Sequence, residues 1–272
     1  MKKIFVLLLL CLLCCNIVFG AVDTVQVFSS SMNKNIKNLV ITPDSYTTTK
    51  KYPVIYLLHG YSDQFNSWLS IKPDLSQWAN TTDAIIVCPD GNNSWYWDSP
   101  KNTTVRYETY ITRELIPYID GHYNTIDRKQ GRAISGYSMG GHGALWLAFR
   151  HQDIFGACGS SSGGVDIRPF PDNWEMNKLL GRYDENPEIW ENHTVINQLP
   201  RIRPASLAIV IDCGTEDFMY KMNEELHRQL TYRNIGHDFI TRPGTHGYAY
   251  WKNAFDYQLL FFSNYFKQHP QL

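Results

Sequence analysis

The sequence predicts an α/β fold: a mostly parallel central sheet with helices on both faces and a small cap insertion. Three observations carry this expectation. The apolar strands are continuous rather than alternating, as in Val-Ile-Tyr-Leu-Leu at 54–58, so both of their faces are buried. Strand and helix patterns alternate along most of the chain, the order of a parallel sheet joined by crossover helices. A serine flanked by glycines, at 136–140, stands between a strand pattern and a helix pattern. In such a sheet ligands sit beyond the carboxyl ends of the strands, so chemistry is sought in the residues that follow each strand.

The elements are read in chain order. Residues 24–29 and 36–41 look like an opening antiparallel pair, and the apolar runs 54–58 and 84–88 read as buried strands, the second stopping at Pro89-Asp90-Gly91. A helix is expected over 106–118, a strand at 132–135 and a helix over 139–150. Strands at 155–160, 207–212 and 237–241 follow, the last two separated by a helix at 218–232. The final helix, 248–267, carries Trp251, Phe255, Phe262 and Phe266 at helical spacing, a stripe suited to core packing. Residues 162–203, rich in Pro, Asn and Trp, read as the cap insertion; Trp174 and Trp190 either shape a pocket or pack beneath it.

At 43% hydrophobic and 19% charged, with 25 basic against 26 acidic residues, the chain is neither a disordered polyelectrolyte nor a basic nucleic-acid binder. Its first twenty residues read as a secretory signal peptide. Lys2 and Lys3 precede an apolar run at 4–15, too short for the roughly 20 residues of a membrane span, and Val18 and Gly20 suit cleavage after Gly20. A lipoprotein signal acylated at Cys14 or Cys15 is the alternative, against which Leu13 and Cys14 stand where a small residue is usual. Residues 21–272 then form one domain. Secretion or periplasmic location is expected, without stable membrane insertion. Cys88, Cys158 and Cys213 remain, an odd set in apolar runs that reads as buried free thiols.

Gly136-Tyr137-Ser138-Met139-Gly140 has the G-x-S-x-G pattern of a nucleophile elbow, in the strand-to-helix context that gives the motif meaning. The tight turn strains the serine backbone, so its neighbours two before and two after must be small. A serine hydroxyl is a weak nucleophile at neutral pH, so a general base and an orienting acid are required, in the chain order Ser, acid, His. His246 follows the last expected strand and precedes the final helix. Asp217 is the chosen acid, at the start of the helix after the strand 207–212; Asp212 is its main competitor, and a plain N-cap is the structural alternative for Asp217. Two backbone N–H groups should form an oxyanion hole: that of Met139, and that of Tyr61 in the loop His59-Gly60-Tyr61-Ser62-Asp63.

Together with Tyr52-Pro53-Val54-Ile55-Tyr56-Leu57-Leu58-His59-Gly60, Pro89-Asp90-Gly91, Cys213-Gly214-Thr215-Glu216-Asp217-Phe218 and Gly244-Thr245-His246, the elbow resembles the "putative esterase" family of the α/β-hydrolase fold. That family groups esterase D-like S-formylglutathione hydrolases, tributyrin-type esterases, feruloyl and acetylxylan esterases, and mycolyltransferases. The resemblance covers nearly the whole mature chain. It implies a serine carboxylic-ester hydrolase whose triad matches Ser138, Asp217 and His246 and whose oxyanion positions match Tyr61 and Met139. Tyr61 departs from the smaller residue that many relatives carry after His-Gly.

His59, Gly60, Trp95 and Trp97 are the candidate substrate-binding residues. Trp95-Tyr96-Trp97 falls on a loop expected at the site's rim, where exposed rings would stack on sugars or an aryl acyl group; the alternative is that they anchor the loop. No metal or cofactor is expected, since H-E-x-x-H is absent and the three cysteines beyond the signal segment form no C-x-x-C pair. A secreted enzyme of this kind suits acetyl or feruloyl esters of carbohydrates or similar short-chain esters. An acyltransferase with the same triad, or a noncatalytic carbohydrate-binding protein on the same scaffold, are the rival readings. Asn80, Asn92, Asn102 and Asn192 begin Asn-x-Ser/Thr sequons, which read equally well as unmodified surface loops.

Overall fold

The computed structural model describes residues 21–270. The expected signal segment, with its cleavage site and its alternative acylated cysteines, lies outside the described residues. β1 (Val22–Ser29) and β2 (Lys34–Ile41) pair antiparallel in register, and β2 then pairs antiparallel with β4 (Ile85–Pro89). From there the sheet is parallel: β4, β3 (Val54–Leu58), β5 (Arg132–Gly136), β6 (Ala157–Ser161), β7 (Ala208–Gly214) and β8 (Asp238–Arg242). The eight strands lie in the order β1-β2-β4-β3-β5-β6-β7-β8. Because the chain leaves β3 toward β4 on one side and returns to β5 on the other, the sheet has its topological switch at the carboxyl ends of β3 and β5. A ligand crevice opens at such a point.

β3, β4, β5 and β6 are buried at every position. Alternate residues of β3 serve the two faces: Val54, Tyr56 and Leu58 join one apolar cluster, Ile55 and Leu57 the other. The first cluster is closed by α5 (Met139–Arg150) and by a helical stretch running α3 (Tyr107–Thr109), a π-helical turn Tyr110–Leu115 and α4 (Ile116–His122). Pro117, which cannot donate to the carbonyl four residues back, lies at the start of α4 where the helix resumes its ordinary pitch. The second cluster is closed by α1 (Ser67–Ile71), α2 (Leu75–Thr82) and α9 (Tyr248–Gln268), whose Trp251, Phe255, Phe262 and Phe266 are core residues as the stripe predicts.

α6 (Met176–Leu180), α7 (Pro187–His193) and a 3-10 turn at Val195–Arg201 form the insertion between β6 and β7, and α8 (Tyr220–Tyr232) links β7 to β8. Cys88, Cys158 and Cys213 are free and buried. Among the described residues no helix is long and apolar enough to cross a membrane.

Candidate active site

Ser138 sits at the turn from β5 into α5 with φ 54° and ψ −119°, a conformation an L-residue holds only when its surroundings enforce it. The flanking glycines are what allow the turn. A Cβ on Gly136 would fall 2.4 Å from the Gly140 carbonyl, and one on Gly140 would fall 2.2 Å from the Leu58 carbonyl oxygen. The elbow is thus pressed against the end of β3, beside the loop that follows it.

His246, in the loop between β8 and α9, spans from the serine to an acid. Its Nε2 lies 2.9 Å from Ser138 Oγ, and its Nδ1 lies 3.0 and 2.9 Å from the two carboxylate oxygens of Asp217. A carboxylate can only accept, so Nδ1 carries the proton and Nε2 is free to take one from the serine. The Asp217 side chain is wholly buried, and one of its oxygens also accepts the Met219 N–H at 2.8 Å. It therefore caps the approach to α8 and orients His246 at once. Asp212 does neither: buried in β7, it accepts from Arg242 Nη2 at 2.6 Å and Tyr250 Oη at 2.5 Å.

Of the two expected oxyanion donors, Met139 follows this serine directly, and Tyr61 lies two residues beyond His59, whose carbonyl oxygen a Cβ on Gly140 would meet at 2.7 Å. Met139 opens α5, where the first N–H groups of a helix have no intrahelical partner. The Tyr61 N–H belongs to the same peptide unit as the Gly60 carbonyl, and that carbonyl is held from behind. His59 Nδ1 donates to it at 2.8 Å and the Asp63 N–H at 3.2 Å. In a planar trans peptide the N–H points opposite the carbonyl, so these bonds fix its direction.

Several sequence expectations need correction. His59 is fully buried: Gly91 N–H donates to its Nε2 at 2.8 Å, so it braces the Gly60 and Gly91 loops instead of facing a substrate. Gly60 serves close packing, since a Cβ there would fall 2.7 Å from the Tyr137 ring. Trp95 and Trp97 are 2% and 0% exposed, so they present no rim platform. They stack on each other at 5.5 Å, and Trp97 Nε1 donates to His142 Nε2 at 2.8 Å, with His142 Nδ1 donating on to the Gly164 carbonyl. Burial lowers the His142 pKa to about 3, so this imidazole is neutral. Trp190 is likewise buried, whereas Trp174 is not.

The aromatic wall beside the serine joins Trp174, one of the two insertion tryptophans read as pocket-shaping or packed beneath, to Phe218 and Phe170, which the pattern did not assign to a pocket. Phe218, half exposed, lies 4.5 Å from the His246 ring and stacks on Trp174 at 6.2 Å; Phe170 packs 5.1 Å from Trp174. The Trp251 ring stands nearly perpendicular to that of His246, with centroids 4.9 Å apart. Phe218 follows Asp217 directly, which was the available signal. Across the cleft Tyr61 Oη donates to Glu175 at 3.3 Å, tying the β3 loop to the insertion. Trp174 and Glu175 both hold left-handed backbones, φ 50° and 54°. Among the described residues no group of three or more His, Cys, Asp or Glu is placed to hold a metal ion.

Sheet order, elbow and the Ser-His-Asp constellation define the α/β-hydrolase fold, and the chain belongs to the family described as "Putative esterase", whose profile matches residues 29–262. It is 36% identical over 137 residues to an esterase of Mycobacterium tuberculosis, a match covering 47% of this chain but only 29% of that protein. With the acetyl esterase of Caldicellulosiruptor saccharolyticus it shares 22% identity over 87% of this chain and 97% of that one. A solved ferulic acid esterase superposes with a TM-score of 0.78 at 29% identity, covering 92% of this chain and 99% of the other. The Staphylococcus aureus serine hydrolase FphF shares the fold with a TM-score of 0.80 at 22% identity, over 90% and 99% of the two chains.

Proposed function

We propose that this protein is a secreted or periplasmic serine carboxylic-ester hydrolase acting on acetyl or feruloyl esters of carbohydrates or similar short-chain esters. The observation that carries the reading is the unbroken line from Asp217 through His246 to Ser138, on a serine held at positive φ. His246 takes the proton from Ser138 Oγ as that oxygen attacks the ester carbonyl, then returns it to the departing alcohol. Asp217 fixes the imidazole tautomer and stabilises its positive form. The Met139 and Tyr61 N–H groups receive the charge that develops on the carbonyl oxygen. Water, activated by the same histidine, releases the acid from the acyl-enzyme.

The substrate class is supported by the cleft wall of Phe218, Trp174 and Phe170, whose flat faces suit a planar aryl acyl group and leave room for a smaller one. A similar solved protein, the ferulic acid esterase of Anaeromyces mucronatus, 24% identical, was obtained in complex with ferulic acid. Export rests on the signal-like residues 1–20. The test is a panel pairing acetyl, butyryl and feruloyl groups with sugar and simple alcohols. Release of free acid from acetyl and feruloyl sugars is expected. Acyl transfer to an added acceptor alcohol in place of hydrolysis would favour the acyltransferase reading, to which a Mycobacterium leprae diacylglycerol acyltransferase/mycolyltransferase at 27% identity lends support.

A further inference from the structure

Asp63 lies outside the Ser-His-Asp line, yet it contacts the segments that carry it. One of its oxygens accepts from Tyr137 Oη at 2.7 Å, the other from Tyr248 Oη at 2.6 Å. Tyr137 immediately precedes Ser138, Tyr248 comes two residues after His246, and Asp63 itself comes two residues after Tyr61. Nucleophile, base and oxyanion donor therefore each have a near neighbour in a single carboxylate clamp.

We propose that Asp63 is a positioning residue that holds the Tyr61 N–H in register with Ser138 and His246. The inference rests on the hydrolase reading above.

Three features support it. Hydrogen bonds from hydroxyls to a carboxylate are about twice as strong as neutral ones, and here each oxygen is used once. Burial and the Asp63 contact both push the phenol pKa values up, that of Tyr248 to about 12 and that of Tyr137 further, so both remain donors. The Tyr137 ring then transmits the constraint. It packs against the Gly60 backbone on one side and stacks on Trp251 at 4.5 Å on the other, and Trp251 in turn abuts His246. On the Asp63 side, its own N–H is one of the two groups that hold the Gly60 carbonyl and so aim the Tyr61 N–H.

A donor displaced by a fraction of an ångström loses transition-state stabilisation while leaving ground-state binding largely intact. Replacing Asp63 by Ala should therefore lower kcat for an aryl acetate about 30-fold, with KM changed less than about 3-fold. Tyr248→Phe, at a 45% exposed residue where folding is not at stake, removes one arm and should lower kcat about 5-fold. The double variant Asp63→Ala with Tyr248→Phe should be no slower than Asp63→Ala alone, and Asp63→Glu should recover part of the rate. Circular dichroism and melting curves accompany each variant. An unchanged kcat in Tyr248→Phe, additive losses in the double variant, or an effect confined to KM would overturn the proposal. Wild-type protein that fails to hydrolyse the aryl acetate would instead overturn the hydrolase reading, which keeps the two failures apart.

Discussion

The carboxylate of Asp217 faces the Nδ1 of His246 with both oxygens, at 3.0 and 2.9 Å, while Asp212 five residues earlier is committed to Arg242 and Tyr250. The two aspartates should separate cleanly on substitution. Asp217→Asn turns the acceptor into a group that cannot stabilise an imidazolium, and kcat should fall about 10⁴-fold with little change in melting temperature. Asp212→Asn should leave kcat within about 3-fold but destabilise the fold by about 2 kcal/mol, because it weakens the pairing of a largely buried arginine. Steady-state kinetics and thermal melts on both variants check this.

The elbow glycines carry a steric prediction. Gly140→Ala places a methyl group 2.2 Å from the Leu58 carbonyl oxygen, a contact that only backbone movement can relieve. The fold should lose about 1–3 kcal/mol, and the displaced serine should lose activity beyond what the stability change explains. Urea denaturation together with kcat measured well below the transition reads both effects.

Acyl selectivity should reside in the wall beside His246. Trp174→Ala removes the ring that stacks on Phe218, so kcat/KM for a feruloyl ester should drop about 10-fold and that for the matching acetyl ester less than about 2-fold. The ratio of the two specificity constants is the measurement.

His142 makes stability depend on pH with a definite sign. Its pKa in the folded protein, about 3, lies below the ordinary 6.5, so between these values the unfolded chain binds a proton that the folded one does not. The contribution of its neutral form is complete above pH 6.5 and is lost as pH falls toward 3, at up to about 1.4 kcal/mol per unit. Melting temperatures measured from pH 7 to pH 5 should fall in the wild type and fall less steeply in His142→Gln. His193 and His227, whose pKa values burial also lowers, contribute to the slope that remains.

What could be read from the sequence follows how local the underlying physics is. The elbow was legible because its requirement, small residues two before and two after Ser138, is met within five positions. His246 and Asp217 were legible because strand ends locate them, although choosing Asp217 over Asp212 depended on which carboxylate the β7 packing had already claimed. The short helices α1 and α2 were missed, as was the π-helical turn before Pro117, since none has a long periodic apolar face. Trp95 and Trp97 misled because ring exposure is decided by distant partners: Trp95 crowds Gly164 and Trp97 bonds His142. The clamp at Asp63 left no trace in the sequence, because its three members come from the β3 loop, the elbow turn and the first residue of α9, which only the folded sheet brings together.

In the proposed mechanism Ser138 is a nucleophile activated by His246. The most direct test is treatment with a fluorophosphonate, followed by mass analysis of the peptide that carries residue 138. One stoichiometric adduct on Ser138 is expected, slowed strongly in His246→Ala and absent in Ser138→Ala, in parallel with loss of aryl acetate hydrolysis. Wild-type protein that stays unlabelled, or that is labelled on another residue while hydrolysis survives in Ser138→Ala, would contradict it.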